Sequence, residues 1–511
     1  VVSCLGLVLW AGTGLLHPIM SRTQPVPAQR MAPAQRVDLH AAMPLADVLR
    51  QQGIARITQA ELASIDGQSY YRVQLPGLGA ARYLGTSDGR ILPDGDQRYA
   101  AQLARHYTAL ADTPIRQIRL ITQFDADYLP VNKLLPVWRV DFARADGLRA
   151  FIDTSQARLA ALTDARQTTL MHLFLLGHDW AFLDALPTLQ HSLMFGLLAC
   201  LLFTALSGLY FYARLSRTAL QRLQNKPITR WHRRLGIIVC GMLLMAVGSG
   251  SYHLLHGINR PQQTNTPTPT FSAAEMTAHS WMGVSGQALA QLGLARLQGQ
   301  LVWLVRPAPA GADTPSGPTS QVAHLAHLAH LAKMSDSMGT SSNEHAEHEG
   351  HGAMNMTGGM QMGGGSTPGA LETMVLDEHG MTIAHGEEQI AQALALQKLG
   401  EQPTPPIVST QEITRFGGEY SFFNKRLPVW RVQFADAQQT RLYVEPATGA
   451  LAARMDASDA REGWSFMTLH KWQFMLGGAN VRDALLALFA LGNLIVGGLG
   501  LWLFMRRRQR E

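Results

Sequence analysis

Cysteine is nearly absent from this chain. It has three in 511 residues, Cys4, Cys200 and Cys240, each inside an apolar run. The polar regions therefore have no disulfide framework, even in an oxidising compartment. Charge is scarce too. Asp, Glu, Lys and Arg make up 16% of the chain against 47% hydrophobic residues, and mean hydropathy is near zero. That balance is too apolar for an ordinary soluble enzyme and too polar for membrane helices alone. It fits a few spans joined to sizeable water-soluble parts. Two catalytic signatures are missing. There is no His-Glu-x-x-His run of a zinc peptidase and no glycine-rich phosphate loop. The net charge is only +6, and no nucleic-acid partner is expected.

Four apolar segments are present, 1–17, 189–212, 235–256 and 484–505. The last three reach the twenty or so residues that a bilayer core needs. The first starts at Val1 in mid-run and is read as a clipped span lacking its natural N-terminus. Residues 213–234 carry seven Lys or Arg and no acid, and 506–511 read "RRRQRE". Short basic loops stay in the cytoplasm. Both termini are thus expected inside, with 18–188 and 257–483 outside, in the periplasm of a bacterial inner-membrane protein.

The sequence repeats itself. "ITQFDADYLPVNKLLPVWRVDF" at 121–142 aligns without gaps to "ITRFGGEYSFFNKRLPVWRVQF" at 413–434. "GTGLLHP" at 12–18 matches "GSGSYHLLHG" at 248–257, which pairs His17 with His253 and Cys4 with Cys240. His172 of "TLMHLFLLG" is matched to His470 of "MTLHKWQFMLG". Each half reads as span, outer domain, boundary histidine, span, an arrangement that packs about a pseudo-two-fold axis. In the outer domains, "MPLADVLRQQG" and "DQRYAAQLARHY" have helical spacing. "SYYRVQLPG", "PVWRVDF" and "RAFID" alternate as strands do. "EPATGAL" predicts a turn with Gly449 as its permissive residue. The fold class expected is α-helical membrane, four spans in two pseudo-symmetric halves, with outer α+β domains.

"VWRVQF…RLYVEPATGALAAR" resembles the PepSY domain. The spans "WHRRLGIIVCGMLLMAVGSG" and "LHKWQFMLGG…GGLGLWLFMRRR" resemble the PepSY-associated transmembrane family, which includes PiuB-like iron-uptake factors and ferric-siderophore reductases. The resemblance covers nearly all of the chain except about 310–370. It implies haem b, one or two groups, held between helices, and electrons passed to periplasmic iron from a donor the sequence does not name. Two features depart from the family pattern. Ala157 stands where a turn glycine is expected, and the basic, histidine-containing segment before the first span is absent.

His17, His172, His191, His253, His256 and His470 all fall near the outer ends of spans on this topology. One such histidine is adequately explained by bonding to water or a carbonyl in the headgroup region. Several together suit axial ligation of haem, which takes one or two imidazoles. His17 with His253, or His172 with His470, are the candidate pairs; pairing across the axis and separate sites in each half both remain open. His253 and His256 share a helix face, so one is expected to ligate and the other to sit at the interface. His191 aligns with Ala490, and His178 has no evident match. His232 lies twenty-one residues before His253, about 30 Å along a helix, so these two would serve different haems. Its bland reading is a basic boundary residue. Glycines 12, 14, 248 and 250 leave room for close helix approach or for a porphyrin plane.

The second outer domain has an insertion at about 310–370 with no counterpart in the first. His345, His348 and His351 are followed by Met354, Met356, Met360 and Met362. Imidazole suits Cu(II) and thioether sulfur suits Cu(I), so the tract fits copper. A tolerated loop expansion is the alternative. The expectation is a haem-dependent reductase in the lipid bilayer, acting on a ferric siderophore or a copper complex. The rivals are a membrane-anchored metal- or protein-binding sensor without haem and a two-repeat transporter. The transporter would want charged residues at mid-span, and the spans have none.

Overall fold

The computed structural model describes residues 1–30, 32–33, 42–77, 79–214, 227–259, 270–276, 289–297, 299–307, 374–377, 381–383, 386–400, 403–416, 419–420, 424–475 and 478–509. Its helices are α1 (Val2–Gly14), α2 (Leu16–Thr23), α3 (Leu45–Gln51), α4 (Gly95–Thr108), α5 (Ala165–Phe174), α6 (Pro187–Arg214), α7 (Pro227–Asn259), α8 (Gly386–Leu399), α9 (Ala457–Ser465) and α10 (Gly478–Arg508).

Four helical stretches are long and apolar enough to cross a bilayer: α1 running on into α2, then α6, α7 and most of α10. They extend past the apolar runs of the sequence. α6 and α7 both begin on proline, which lacks the N–H that a first helical turn cannot satisfy anyway. Their outward side chains are apolar and uncovered by protein; Phe203 is 74% exposed and Leu488 62%. In water that would be costly, and against lipid it is not. The helices form a closed ring in which α1 packs on α10, α10 on α7, α7 on α6 and α6 on α1. Small residues set the closest approach. A Cβ at Gly500 would lie 2.9 Å from Cys4 Sγ, and one at Gly497 3.0 Å from Val8. Gly14 and Gly248 instead face open space. They do not bring helices together.

The strands are β1 (Arg56–Ile57), β2 (Gln59–Ile65), β3 (Gln68–Gln74), β4 (Arg82–Gly85), β5 (Ile115–Ile121), β6 (Val137–Phe142), β7 (Arg149–Asp153), β8 (Arg158–Thr163), β9 (Phe271–Ser272), β10 (Leu289–Leu297), β11 (Gln300–Pro307), β12 (Met374–Leu376), β13 (Thr382–Ile383), β14 (Ile407–Ile413), β15 (Val429–Phe434), β16 (Arg441–Glu445) and β17 (Ala450–Met455). Two antiparallel meanders, β5-β6-β7-β8 and β14-β15-β16-β17, have the same order. Their registers agree pair by pair at a constant offset of 292 residues. Ile115 faces Phe142 as Ile407 faces Phe434, and the bulges at Phe151/Ile152 and Tyr443/Val444 fall at the same place. One helix covers each meander. α4 buries Tyr99, Leu103 and Tyr107 in one core, and α8 buries Ile390, Leu394 and Leu399 in the other.

The sequence divides the polar part of the chain into two domains, 18–188 and 257–483. The structure joins them. β1 pairs with β9, Ile57 opposite Phe271, and one hydrophobic core takes Leu49, Tyr71 and Val73 from the first region and Leu292, Leu294 and Trp303 from the second. A three-stranded sheet such as β2-β3-β4 has an apolar face that its own short helix cannot cover, and the other region covers it. A buried ionic contact reinforces the joint. Glu445 takes Arg158 and Arg426, each at 2.6 Å, and Arg158 also meets Asp153 at 3.1 Å. Burial alone would raise the Glu445 carboxyl, but the two guanidinium groups outweigh it and hold it down at about 2.

Candidate functional site

The meanders deliver the chain to the mouth of the helix ring in the same way. Asp164 caps α5 through the Gln167 amide at 2.6 Å, and Asp456 caps α9 through the Ser458 amide at 2.6 Å and the Asp459 amide at 3.0 Å. Each helix then widens into a single π turn, Leu175–Asp179 and Phe466–His470. A left-handed residue stops the helical run just beyond, Trp180 at φ 57° and Trp472 at φ 50°. Inside each π turn an imidazole stacks on a phenyl ring. His178 lies 4.7 Å from Phe174 and His470 4.9 Å from Phe466, both nearly parallel. Such turns recur at functional sites because they place a side chain where a regular helix would not.

Both rings are held by a hydroxyl from a membrane helix. Thr13 Oγ1 is 3.2 Å from His178 Nδ1, and Ser249 Oγ is 3.2 Å from His470 Nδ1. Thr13 and Ser249 correspond at the offset that pairs His17 with His253. Each hydroxyl spends its own proton on a helix carbonyl, Leu9 at 2.9 Å and Ala246 at 3.4 Å. The hydroxyl oxygen is then free to accept, and an imidazole donating to it from Nδ1 would carry its lone pair on Nε2. That tautomer, oriented by a second residue, is what metal-ligating histidines show. The π turns lie outside the four spans. There burial pushes both imidazoles below their ordinary pKa, which keeps them neutral, and Lys471 acts on His470 in the same direction.

This arrangement corrects the pairing read from the sequence. The meander register continues without a gap through both caps, so His470 corresponds to His178 and His172 corresponds to Trp464. His172 sits on α5 with Nε2 3.2 Å from the Ala126 carbonyl, at the junction with the sheet and away from the mouth. The sequence signal was available as Phe-x-x-x-His-x-Trp, present at 174–180 and again at 466–472.

The other candidates divide. His253 Nδ1 meets Glu462 Oε1, and its ring stacks on Phe466 at 4.7 Å, opposite His470 in sequence order. His256 Nε2 is taken by Asp459 at 2.9 Å, so both histidines are bonded to carboxylates of α9. His17 lies exposed on α2, within electrostatic reach of His178, Lys471, Arg482 and Asp483. His191 is in α6 with no part in the cluster. His232 is at the opposite end of α7, beside Gly500 and the Val496 backbone, and its buried Nδ1 has no partner among the described residues. Because His232 and His253 share one continuous helix, about 30 Å separates them. Glu462 and Asp459 were not foreseen. They sit some two hundred residues from their histidines, and no local pattern marks them.

Among the described residues, no three His, Cys, Asp or Glu side chains are grouped to hold a bare metal ion. The tract with His345, His348, His351, Met354, Met356, Met360 and Met362 lies outside the described residues. No family model matches the chain, and no curated protein matches it.

Proposed function

We propose that the protein is a haem-dependent membrane reductase, built from two copies of one span–domain–turn–span unit, that passes electrons to a metal complex on its outer side. The complex would be a ferric siderophore or, given the His/Met tract, a copper complex in the periplasm of a bacterial inner-membrane system. The observation that carries this reading is the matched pair of imidazoles, His178 and His470, each with Nδ1 fixed by a hydroxyl of a membrane helix. The donor set suits haem rather than a bare ion. Its nitrogens come in corresponding pairs without a third ligand, and haem takes one or two axial imidazoles. Two of His17, His178, His253 and His470 would hold the group at this end, and His232, with its orphaned Nδ1, would serve a second at the other.

Haem b, when bound, supplies one-electron chemistry. The chain supplies neutral ring nitrogens, a carboxylate at His253 Nδ1 that strengthens that ring as a donor, and an apolar bundle that excludes water. His172 and His256 have no part in the proposal. The binding-module reading has one observation in its favour: the bonds of His253 and His256 to α9 would equally serve as a structural latch. A reduced-minus-oxidised visible spectrum of the purified full chain separates the two. A sharp b-type α band, and reoxidation of the reduced protein by a ferric chelate, support the reductase. Well-folded, haem-supplemented protein with a flat spectrum leaves the binding module.

A further inference from the structure

A polar groove of about 540 Å³ opens where the first span meets the sheet domain. Arg22, Thr23, Arg144, Asp146, Asp164 and Arg166 line it. Its two acids are already engaged. Asp146 takes Arg144 through a two-point contact at 3.0 and 2.6 Å, and Asp164 caps α5. Arg166 donates from one terminal nitrogen to the Thr23 carbonyl at 2.8 Å, and the same nitrogen lies 3.7 Å from Asp164, which leaves the rest of its fork for other acceptors. Arg22, exposed in the last turn of α2, has no partner among the described residues. The groove therefore offers forked donors and a surplus positive charge, the chemistry that recognises phosphate.

Its place in the fold decides the source of that phosphate. α2 closes the first membrane span, so its last turn lies at headgroup depth. The helices that frame the groove, α2 and α5, also expose Ile19 and Leu173, apolar side chains that acyl chains would cover. The fold does not require the arginines. At the corresponding positions of the second half stand Ile258, Asp436 and Ser458, and Asp436 there accepts from Thr440 instead. We infer that the Arg22–Arg166 groove is a binding site for the headgroup of an anionic phospholipid, present on one half of the molecule only.

The test is native mass spectrometry of the full chain carrying phosphatidylglycerol or phosphatidylcholine. The wild type should retain phosphatidylglycerol in preference. Arg22→Ala with Arg166→Ala should cut that preference roughly tenfold, at an unchanged melting temperature, and inorganic phosphate should not displace the lipid. If the alanine pair does not fold, the exposed single change Arg22→Glu gives the same readout. An undiminished preference in a folded variant, or full displacement by inorganic phosphate, overturns the inference; the latter would make the groove a site for a soluble anion.

Discussion

The two turns at the mouth of the helix ring are built from one plan and finished differently. Both have a capped helix, a π turn, an imidazole stacked on a phenyl ring and a membrane-helix hydroxyl on Nδ1. Only the second adds carboxylates, Glu462 on His253 and Asp459 on His256; Leu170, Gln167 and Met20 stand at the matching positions of the first half. Only the first adds the arginine groove. What the halves share is a way of holding a neutral imidazole. What they do not share sits around it: carboxylates that tie down a helix in one half, an arginine-lined groove in the other.

The same contrast separates the buried glutamates of the sheet domains, and it yields the largest expected effects. Glu445 has two arginines, whereas Glu61 has one, Arg72 at 2.7 Å, and leaves Oε1 without a partner. Glu445→Ala strands two buried guanidinium groups and should cost about 3–5 kcal/mol, read as a fall in melting temperature. Its carboxyl is held below the ordinary 4.5, so the stability it contributes is full above that pH and fades as pH falls toward 2. Glu61 runs the other way. Burial raises its carboxyl to about 7 against the pull of Arg72, so the folded state is penalised above pH 7 and relieved as pH falls toward 4.5. Glu61→Gln should therefore raise the melting temperature at pH 8 and change it little at pH 5. A drop at pH 8 would show that the Arg72 contact prevails.

Smaller effects sharpen the comparison of the matched turns. Gly449 at φ 66° and Ala157 at φ 48° hold corresponding left-handed positions. The expected glycine is missing from the first half, yet the turn keeps its shape, with Tyr107 donating to the Ala157 carbonyl at 2.6 Å. Ala157→Gly should stabilise by about 1 kcal/mol and Gly449→Ala should destabilise by a similar amount. Equal and opposite shifts in melting temperature would support the equivalence. Weakest of all, Glu462→Gln should loosen α9 alone. Half of His253 is exposed, so the cost should stay below about 1 kcal/mol, visible as faster amide exchange in α9 while α5 is unchanged.

Much of this was legible in the sequence. The spans follow from apolar length and the strands from alternation, because both signals are local. Gly449 also stands where the turn was expected. Three things were not legible, each for a physical reason. The shared core depends on β1 and β9, strands too short to leave a pattern, pairing across more than two hundred residues. The carboxylate partners of His253 and His256 come from another helix, and nothing near the histidines encodes them. His178 is hidden in the sequence because short similar strings around His172 and His470 align six residues out of register. Only the continuous ladder from β5 to β8, carried through the Asp164 cap, fixes the true correspondence.

The most direct measurement compares three single variants, His172→Ala, His178→Ala and His470→Ala, by the b-type α band of the purified protein, with circular dichroism as the check on folding. The account predicts that the band survives in the first and is lost or halved in the other two. A band that vanishes with His172 and persists without His178 and His470 would contradict it.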